Sequence, residues 1–151
     1  MKLFLLGLVC ISSTFIGIYV SKEIKNRERF FLEWIEYNKF LIQRISFFKE
    51  PIYKITKDFY KDRKDSLFVL LLKDYINNKT INCFKKDKIK IQEYFNTLGS
   101  LDYTNQLNYL KSELINLEEK YKEVKLDMKT KGNLYSKLGL IIGIALMILM
   151  V

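Results

Sequence analysis

The chain has 151 residues, of which 28% are charged and 49% hydrophobic, and its formal net charge is +9. It has no histidine and only two cysteines, and it contains neither a glycine-rich phosphate loop nor a cluster of zinc-ligating residues. This composition argues against an enzyme, against a bound metal or cofactor, and against a disulfide framework.

An uncharged run begins the chain, over residues 3–20. As a helix it would extend roughly 27 Å, close to the ~30 Å thickness of a bilayer's hydrocarbon core. The run is long for a signal peptide, and no small-x-small cleavage site follows it. We therefore predict a retained transmembrane helix over residues 1–20, in which Ser13 and Gly17 form a small-residue step that allows another helix to pack closely.

The central section, residues 21–137, is predicted to be a cytoplasmic helical bundle. Residues 18–50 include neither proline nor glycine, so a single helix is expected to continue from the membrane run into this bundle. Its large apolar side chains recur at helical spacing, which is typical of a face that packs against other helices. These residues are Phe30, Trp34, Tyr37, Leu41, Ile45 and Phe48.

Two shorter helices are predicted after the long one. Pro51 suits the first turn of the second helix. Asp65 and Ser66 can cap the third, whose apolar run over residues 67–72 is expected to be fully buried. This run would also fit a strand, but no other part of the sequence has the pattern of a partner strand. The third helix is expected to end at Asn77-Asn78.

A fourth helix is predicted over roughly residues 87–98, with Gly99 as its C-terminal stop, and Asp102 is placed to cap a fifth. From Tyr103 onward, apolar residues follow in alternating steps of four and three for more than three heptads. This spacing predicts a seam that packs either within the bundle or against a second copy in a homo-oligomer. The seam residues are Leu107, Leu110, Leu114, Leu117, Tyr121, Val124 and Met128.

The fourteen residues 138–151 have no charged or polar side chain. They would form only ~21 Å of helix, but the preceding Lys137 can extend to the headgroups and the bilayer can thin locally. We predict a second, short membrane segment here, after an interruption of the helix at Gly132-Asn133. Gly139 and Gly143 form its small-residue step, which favours close helix packing. The predicted fold class is therefore all-α, with a bundle flanked by two membrane segments.

Basic clusters adjoin both uncharged runs on the side of the central section, at residues 22–29 and 122–137. The positive-inside rule then places the central section in the cytoplasm and both termini outside. Lysines also alternate with aromatic residues over 53–65 and 84–95, a pattern that single-stranded nucleic acids or anionic lipid can attract. Here the aromatic residues fall at core spacing and acidic residues are mixed in, so we predict no nucleic-acid partner.

Four segments, taken in order, resemble one known family. They are KLFLLG near the start with Gly17 behind it, ISFFKEPI (45–52), YFNTLGSLDYTNQ (94–106) and LYSKLGLIIGIALMILMV (134–151). Together they resemble the stage III sporulation protein AB family of endospore-forming bacteria. The most distinctive segment carries a turn motif made of Phe95, Leu98, Gly99, Asp102 and Gln106. No family anchor lies between Thr56 and Gln92, so the packing of residues 56–92 is not predicted.

The resemblance implies a role. The family belongs to a secretion-like complex between mother cell and forespore, and its cytoplasmic domain is similar to that of the F-type platform protein of type II secretion. It implies a platform subunit in the mother-cell membrane facing the forespore. The implied partners are the lipid bilayer, other sporulation membrane proteins and a secretion-type ATPase. The alternative is a general membrane-tethered coiled-coil scaffold that self-associates.

Overall fold

The computed structural model describes residues 2–61, 63, 66–76, 84 and 87–150. Within these ranges every regular element is a helix and no strand occurs, which confirms the all-α prediction. The helices, in order, are α1 (Lys2–Phe48), α2 (Ile52–Lys61), α3 (Leu67–Ile76), α4 (Lys88–Thr97), α5 (Tyr103–Asp127), a π-helical segment (Met128–Gly132) and α6 (Asn133–Met150).

The chain divides into two compact units. The central unit is Arg29–Tyr121, and the terminal unit combines Met1–Glu28 with Lys122–Val151. The predicted domain limits, at residues 20/21 and 137/138, were drawn from the expected membrane borders. They describe a different division and stay a prediction.

The long helix predicted from the lack of proline and glycine is present as α1. Its apolar face forms the aromatic core of the central unit. The indole ring centroid of Trp34 lies 5.7 Å from Phe30, 6.3 Å from Phe68 and 5.1 Å from Tyr94. Such edge and tilted ring contacts add to the free energy of burying the rings. Phe48 follows the same spacing but is 62% exposed, because α1 ends there.

Helix α3 begins at the predicted cap. The Ser66 hydroxyl oxygen accepts a hydrogen bond from the Val69 backbone N–H at 3.2 Å. The expectation of a fully buried run over residues 67–72 is wrong at Leu67, which is half-buried, and at Leu70, which is 48% exposed, because a helix turns part of such a run outward. The other predicted boundary residues of this helix, Asp65, Asn77 and Asn78, lie outside the described residues.

Helix α5 has the predicted heptad spacing, but the residues on its buried side differ from the predicted seam. Leu110, Leu117 and Val124 are fully buried, whereas the seam residues that alternate with them along the helix are only half-buried. Those half-buried residues are Leu107, Leu114, Tyr121 and Met128. Gln106 and Glu113 are buried as well, so the buried side of α5 includes two polar residues that the apolar spacing did not indicate.

The predicted interruption at Gly132-Asn133 takes the form of the π-helical segment, which ends at Gly132, and α6 begins at Asn133. The Thr130 hydroxyl donates to the Leu126 carbonyl at 2.8 Å. Lys131 pairs with Asp127 at 2.6 Å, and that hydrogen bond together with the negative charge raises the pKa of Lys131. The chain therefore stays helical here, with a change of helix type instead of a break.

The terminal unit keeps many large apolar side chains exposed. In α1 these are Phe15, Ile16, Ile18 and Tyr19, and in α6 they are Leu134, Tyr135, Leu138, Ile141, Ile142, Ile144 and Ile148. Gly17 is buried. Ser13, Gly139 and Gly143 lie in helices, and their surroundings fall outside the described part of the structure.

A search of the described residues found no helix with the length and apolar character needed to cross a membrane.

Candidate interaction groove

The turn between α4 and α5 is built around Gly99. This residue has a φ of +84°, a left-handed conformation that suits glycine. The Leu98 N–H donates to the Tyr94 carbonyl at 3.0 Å, which closes the last turn of α4. The Gly99 N–H donates to the side-chain oxygen of Gln106 at 2.9 Å. A side chain on α5 thus fixes the turn that precedes it.

Asp102 caps α5, as its position predicted. Its carboxylate accepts hydrogen bonds from the Asn105 backbone N–H at 3.4 Å and from the Asn105 side-chain amide at 2.5 Å. These hydrogen bonds hold the pKa of the Asp102 carboxyl below its ordinary value of 3.8. A carboxylate at a helix N-terminus is also favoured by the helix dipole.

This turn meets the segment between α1 and α2. A methyl group added to Gly99 would lie 3.7 Å from the Cδ1 atom of Ile52, an ordinary van der Waals separation. The Tyr103 hydroxyl donates to the Ile45 carbonyl at 3.3 Å, and the ammonium of Lys49 lies 5.9 Å from the Tyr103 ring centroid. Two segments that the sequence analysis singled out separately, 45–52 and 94–106, therefore form one end of the central unit.

Between them lies a groove of about 720 Å³. Its floor consists of buried residues from five helices, namely Tyr37, Ile45, Thr56, Leu72, Phe95 and Gln106. Its rim is exposed and largely apolar, with Tyr53 (77% exposed), Ile76 (53%), Leu101 (39%) and Tyr103 (43%). A groove of this size with apolar walls and few polar groups is typical of a binding site.

Polar side chains on the floor of the groove form one chain of hydrogen bonds, and one polar group is an exception because it lies outside this chain. The Thr56 hydroxyl donates to the Ile52 carbonyl at 2.8 Å, so the Tyr37 hydroxyl donates to the Thr56 oxygen, also at 2.8 Å. The exception is the side-chain nitrogen of Gln106, which is buried and has no hydrogen-bond partner in the described structure. A buried donor without a hydrogen-bond partner costs free energy and is uncommon in a well-packed protein core.

Lysines predominate around the rim. Lys57 lines the groove, and Lys49 and Lys73 each lie over a tyrosine ring of its wall, Tyr103 and Tyr60. The acid in the lining is Glu50, which lies 3.0 Å from the Lys54 ammonium and 3.3 Å from the Arg44 guanidinium. Among the described residues, the charges of Lys49, Lys57 and Lys73 are therefore not balanced by ion pairs, while the carboxylate of Asp102 lies beside the rim between Leu101 and Tyr103 in sequence.

Four residues of the turn motif line the groove: Phe95, Leu98, Gly99 and Gln106. Asp102 caps the adjoining helix. The heptad-seam residues lie elsewhere on α5 and do not contribute to the lining, and Ser13, Gly17, Gly139 and Gly143 belong to the terminal unit. The sequence did not predict that five tyrosines line this groove: those of α1 and α2 were interpreted as core residues, Tyr103 as part of the apolar spacing of α5, and Tyr75 was not singled out. Their number was the available sign, since Tyr is enriched at binding surfaces. They are Tyr37, Tyr53, Tyr60, Tyr75 and Tyr103.

The chemistry of the groove suits binding. The described residues of its lining include one carboxylate, already ion-paired, and one lysine, and no cysteine or histidine is among them. Among the described residues no group of three or more His, Cys, Asp or Glu side chains is placed to hold a metal ion. Aromatic walls and an amide are groups that orient a ligand.

Replacing Gly99 with valine is expected to lower the free energy of unfolding by about 1–3 kcal/mol, because a β-branched residue is strained at φ +84°. A Cβ atom fits at ordinary van der Waals distance, so backbone strain is the main expected cause of the loss. Gly99→Asn is the matched control, since Asn tolerates a left-handed backbone conformation. Its free energy of unfolding should fall by less than half of the loss in Gly99→Val. Urea unfolding followed by far-UV circular dichroism measures both. Equal losses for the two variants would exclude backbone strain as the cause.

High pH is expected to destabilise the central unit. Burial raises the pKa of Tyr37 and Tyr94 above the ordinary value of 10.0. The folded state then holds these protons more tightly than the unfolded state. Stability is full below pH 10.0 and falls as the pH rises further, by up to ~1.4 kcal/mol per pH unit for each tyrosine.

Urea titrations at a series of pH values would measure that slope. Tyr37→Phe should reduce it, and Tyr53→Phe, at an exposed position, is the matched control. A slope that is unchanged in the Tyr37→Phe variant would contradict the expectation.

The helices and the lateral groove define an all-α protein whose central unit is a helical bundle. A family model, described as stage III sporulation protein AB, matches residues 70–151, more than half of the chain. The chain belongs to the stage III sporulation protein AB family, which confirms the resemblance. The match includes the turn motif and the C-terminal tail, while the segments at 2–7 and 45–52 precede it. Comparisons with curated proteins and with solved structures gave no match.

Proposed function

We propose that this protein is a non-enzymatic platform subunit of a secretion-like sporulation complex between mother cell and forespore. The observation that carries the proposal is the family match over residues 70–151. The groove supports it, because four residues of the turn motif inside the match line a surface built for binding. The partners are other sporulation membrane proteins and a secretion-type ATPase on the cytoplasmic side, which would supply the chemistry.

The proposal includes anchoring in the mother-cell membrane through residues 1–20 and 138–151, with the central section in the cytoplasm and both termini outside. The exposed apolar side chains of the terminal unit support it. Ile141 and Ile148 are 58% and 72% exposed in α6, and Phe15 is 68% exposed in α1. A folded protein rarely leaves so many large apolar groups in water. The basic clusters at 22–29 and 122–137 favour the cytoplasmic side for the residues between them.

Affinity purification of the full chain from sporulating cells, solubilised in mild detergent, tests the proposal. Mass spectrometry should recover a secretion-type ATPase and other sporulation membrane proteins. The same tagged chain expressed during vegetative growth is the control, and it should recover neither. If the chain is recovered alone from sporulating cells, under conditions that keep other membrane complexes intact, the platform role is wrong.

A self-associating scaffold is the second candidate, and α5 favours it. Leu107 and Leu114 of the heptad seam are only half-buried, and Ile115 beside them is 62% exposed. A second copy would cover this face. Analytical ultracentrifugation of the full chain in density-matched detergent would show a dimer that dissociates on Leu114→Glu. If the unsubstituted chain is already a monomer in this experiment, the scaffold candidate is wrong.

A further inference from the structure

We propose that the groove beside the α4–α5 turn binds an amphipathic helix of another protein, with an apolar face and acidic residues along its borders. The proposal deepens the proposed function, since it states the chemistry of a partner segment for the site already described. It rests on the groove itself, so its test does not depend on which sporulation proteins are recovered.

The first step concerns shape and apolar character. The groove is open, and its exposed rim is formed by Tyr53, Ile76 and Leu101. Phe47 and Phe48, which are 78% and 62% exposed, lie outside the lining and precede Glu50 of the lining by three and two residues. An open groove with an exposed apolar rim fits a macromolecular partner better than a small enclosed ligand.

The second step concerns the kind of polypeptide. Peptides that bind by strand addition need a free sheet edge, and the described residues contain no strand. The groove walls are helices, whose backbone groups are bonded internally. Recognition must therefore use side chains. An amphipathic helix presents apolar side chains at i, i+3, i+4 and i+7 on one face, which matches a groove between helices.

The third step concerns charge. Lys57 lies in the lining, and Lys49 and Lys73 lie over tyrosine rings of the wall at 5.9 and 5.5 Å. None of these three ammonium groups forms an ion pair with another described residue. The lining carboxylate, Glu50, is already matched by Arg44 and Lys54. A partner with acidic residues at the borders of its apolar face would neutralise this rim.

Two synthetic peptides test the proposal. Both are fluorescein-labelled amphipathic helices with the same leucine and phenylalanine face. One carries glutamate along both borders, and the other carries lysine. Fluorescence anisotropy would follow their titration with the full chain in nanodiscs of uncharged lipid, with empty nanodiscs as the blank for binding to lipid. The glutamate peptide should bind at least tenfold more tightly than the lysine peptide.

Substitutions locate the site. Ile76→Glu, on the rim, should weaken binding of the glutamate peptide by tenfold or more. Ile115→Glu is the matched control, because Ile115 has similar exposure but lies away from the groove. Lys57→Glu should weaken binding of the glutamate peptide, so that its affinity comes closer to that of the lysine peptide. Lys111 is an exposed lysine outside the lining, so Lys111→Glu should leave the affinities of both peptides unchanged. Circular dichroism would verify that each variant is folded.

Three outcomes would overturn the proposal. The first is no binding of either peptide to the folded chain, or equal binding of both. The second is equal loss of binding in Ile76→Glu and Ile115→Glu. The third is a different occupant: if Ile76→Glu abolishes self-association or attachment to anionic vesicles while the glutamate peptide does not compete, the groove takes a second copy or a lipid surface.

Discussion

Replacing Trp34 with alanine is expected to lower the free energy of unfolding of the central unit by about 3–5 kcal/mol. The side chain is fully buried and contacts Phe30, Phe68 and Tyr94 through its ring. Its removal leaves a cavity that helices from three parts of the chain cannot close without losing their own contacts. Urea unfolding, followed by far-UV circular dichroism because the chain's only tryptophan is lost, measures the change.

Trp34→Phe is the control for this substitution. It keeps an aromatic ring in the core and removes an indole N–H that has no hydrogen-bond partner in the described structure. We therefore expect it to lose less than half of the energy lost in Trp34→Ala. A loss below about 1 kcal/mol in the alanine variant would mean that the aromatic cluster is not the centre of the core, because full burial of so large a group is worth more than that.

Replacing Glu33 with alanine is expected to cost about 3 kcal/mol. This buried carboxylate accepts hydrogen bonds from the Ser66 hydroxyl at 2.7 Å and the Phe68 backbone N–H at 3.2 Å, so α1 caps the first turn of α3. Arg29 on the preceding turn of α1 donates to its other oxygen at 3.0 Å. Without the carboxylate, buried donors at the start of α3 lose their acceptor, which costs more than the hydrogen bonds alone contribute.

Glu36→Ala is the matched control, one turn further along α1. Glu36 is exposed and pairs with Arg63 at the surface, so its loss should cost no more than about 1 kcal/mol. Glu33→Gln keeps a hydrogen-bond acceptor, so its loss of unfolding free energy should lie between the losses of Glu33→Ala and Glu36→Ala. Equal costs for Glu33→Ala and Glu36→Ala, in the same urea titration, would show that the cap does not hold α3 in place.

Features that depend on local sequence could be predicted. The lack of proline and glycine over residues 18–50 predicted the uninterrupted second part of α1, and Asp102 and Gly99 predicted the turn between α4 and α5. Each of these outcomes is decided by a few neighbouring residues through backbone geometry or a cap. The heptad spacing of α5 was also right in period, because the period of an amphipathic helix depends only on the helix.

Features that depend on distant partners could not be predicted. Nothing near Glu33 in sequence shows that Ser66, 33 residues away, is its partner. The buried side of α5 combines apolar seam residues such as Leu110 and Leu117 with the polar Gln106 and Glu113, which apolar spacing alone does not indicate. The meeting of residues 45–52 with 94–106 likewise arises from tertiary packing, so the groove between them was not foreseen.

The division of the chain into two units affects the order in which they can fold during synthesis. The central unit, Arg29–Tyr121, is contiguous in sequence and can fold as soon as it has emerged from the ribosome. The terminal unit combines residues from both sides of it, so residues 2–28 have no partner until residues 122–150 have been made. A released chain that is truncated just after Tyr121 would therefore present a folded central unit with an unmatched apolar segment, a form that chaperones and proteases are expected to recognise.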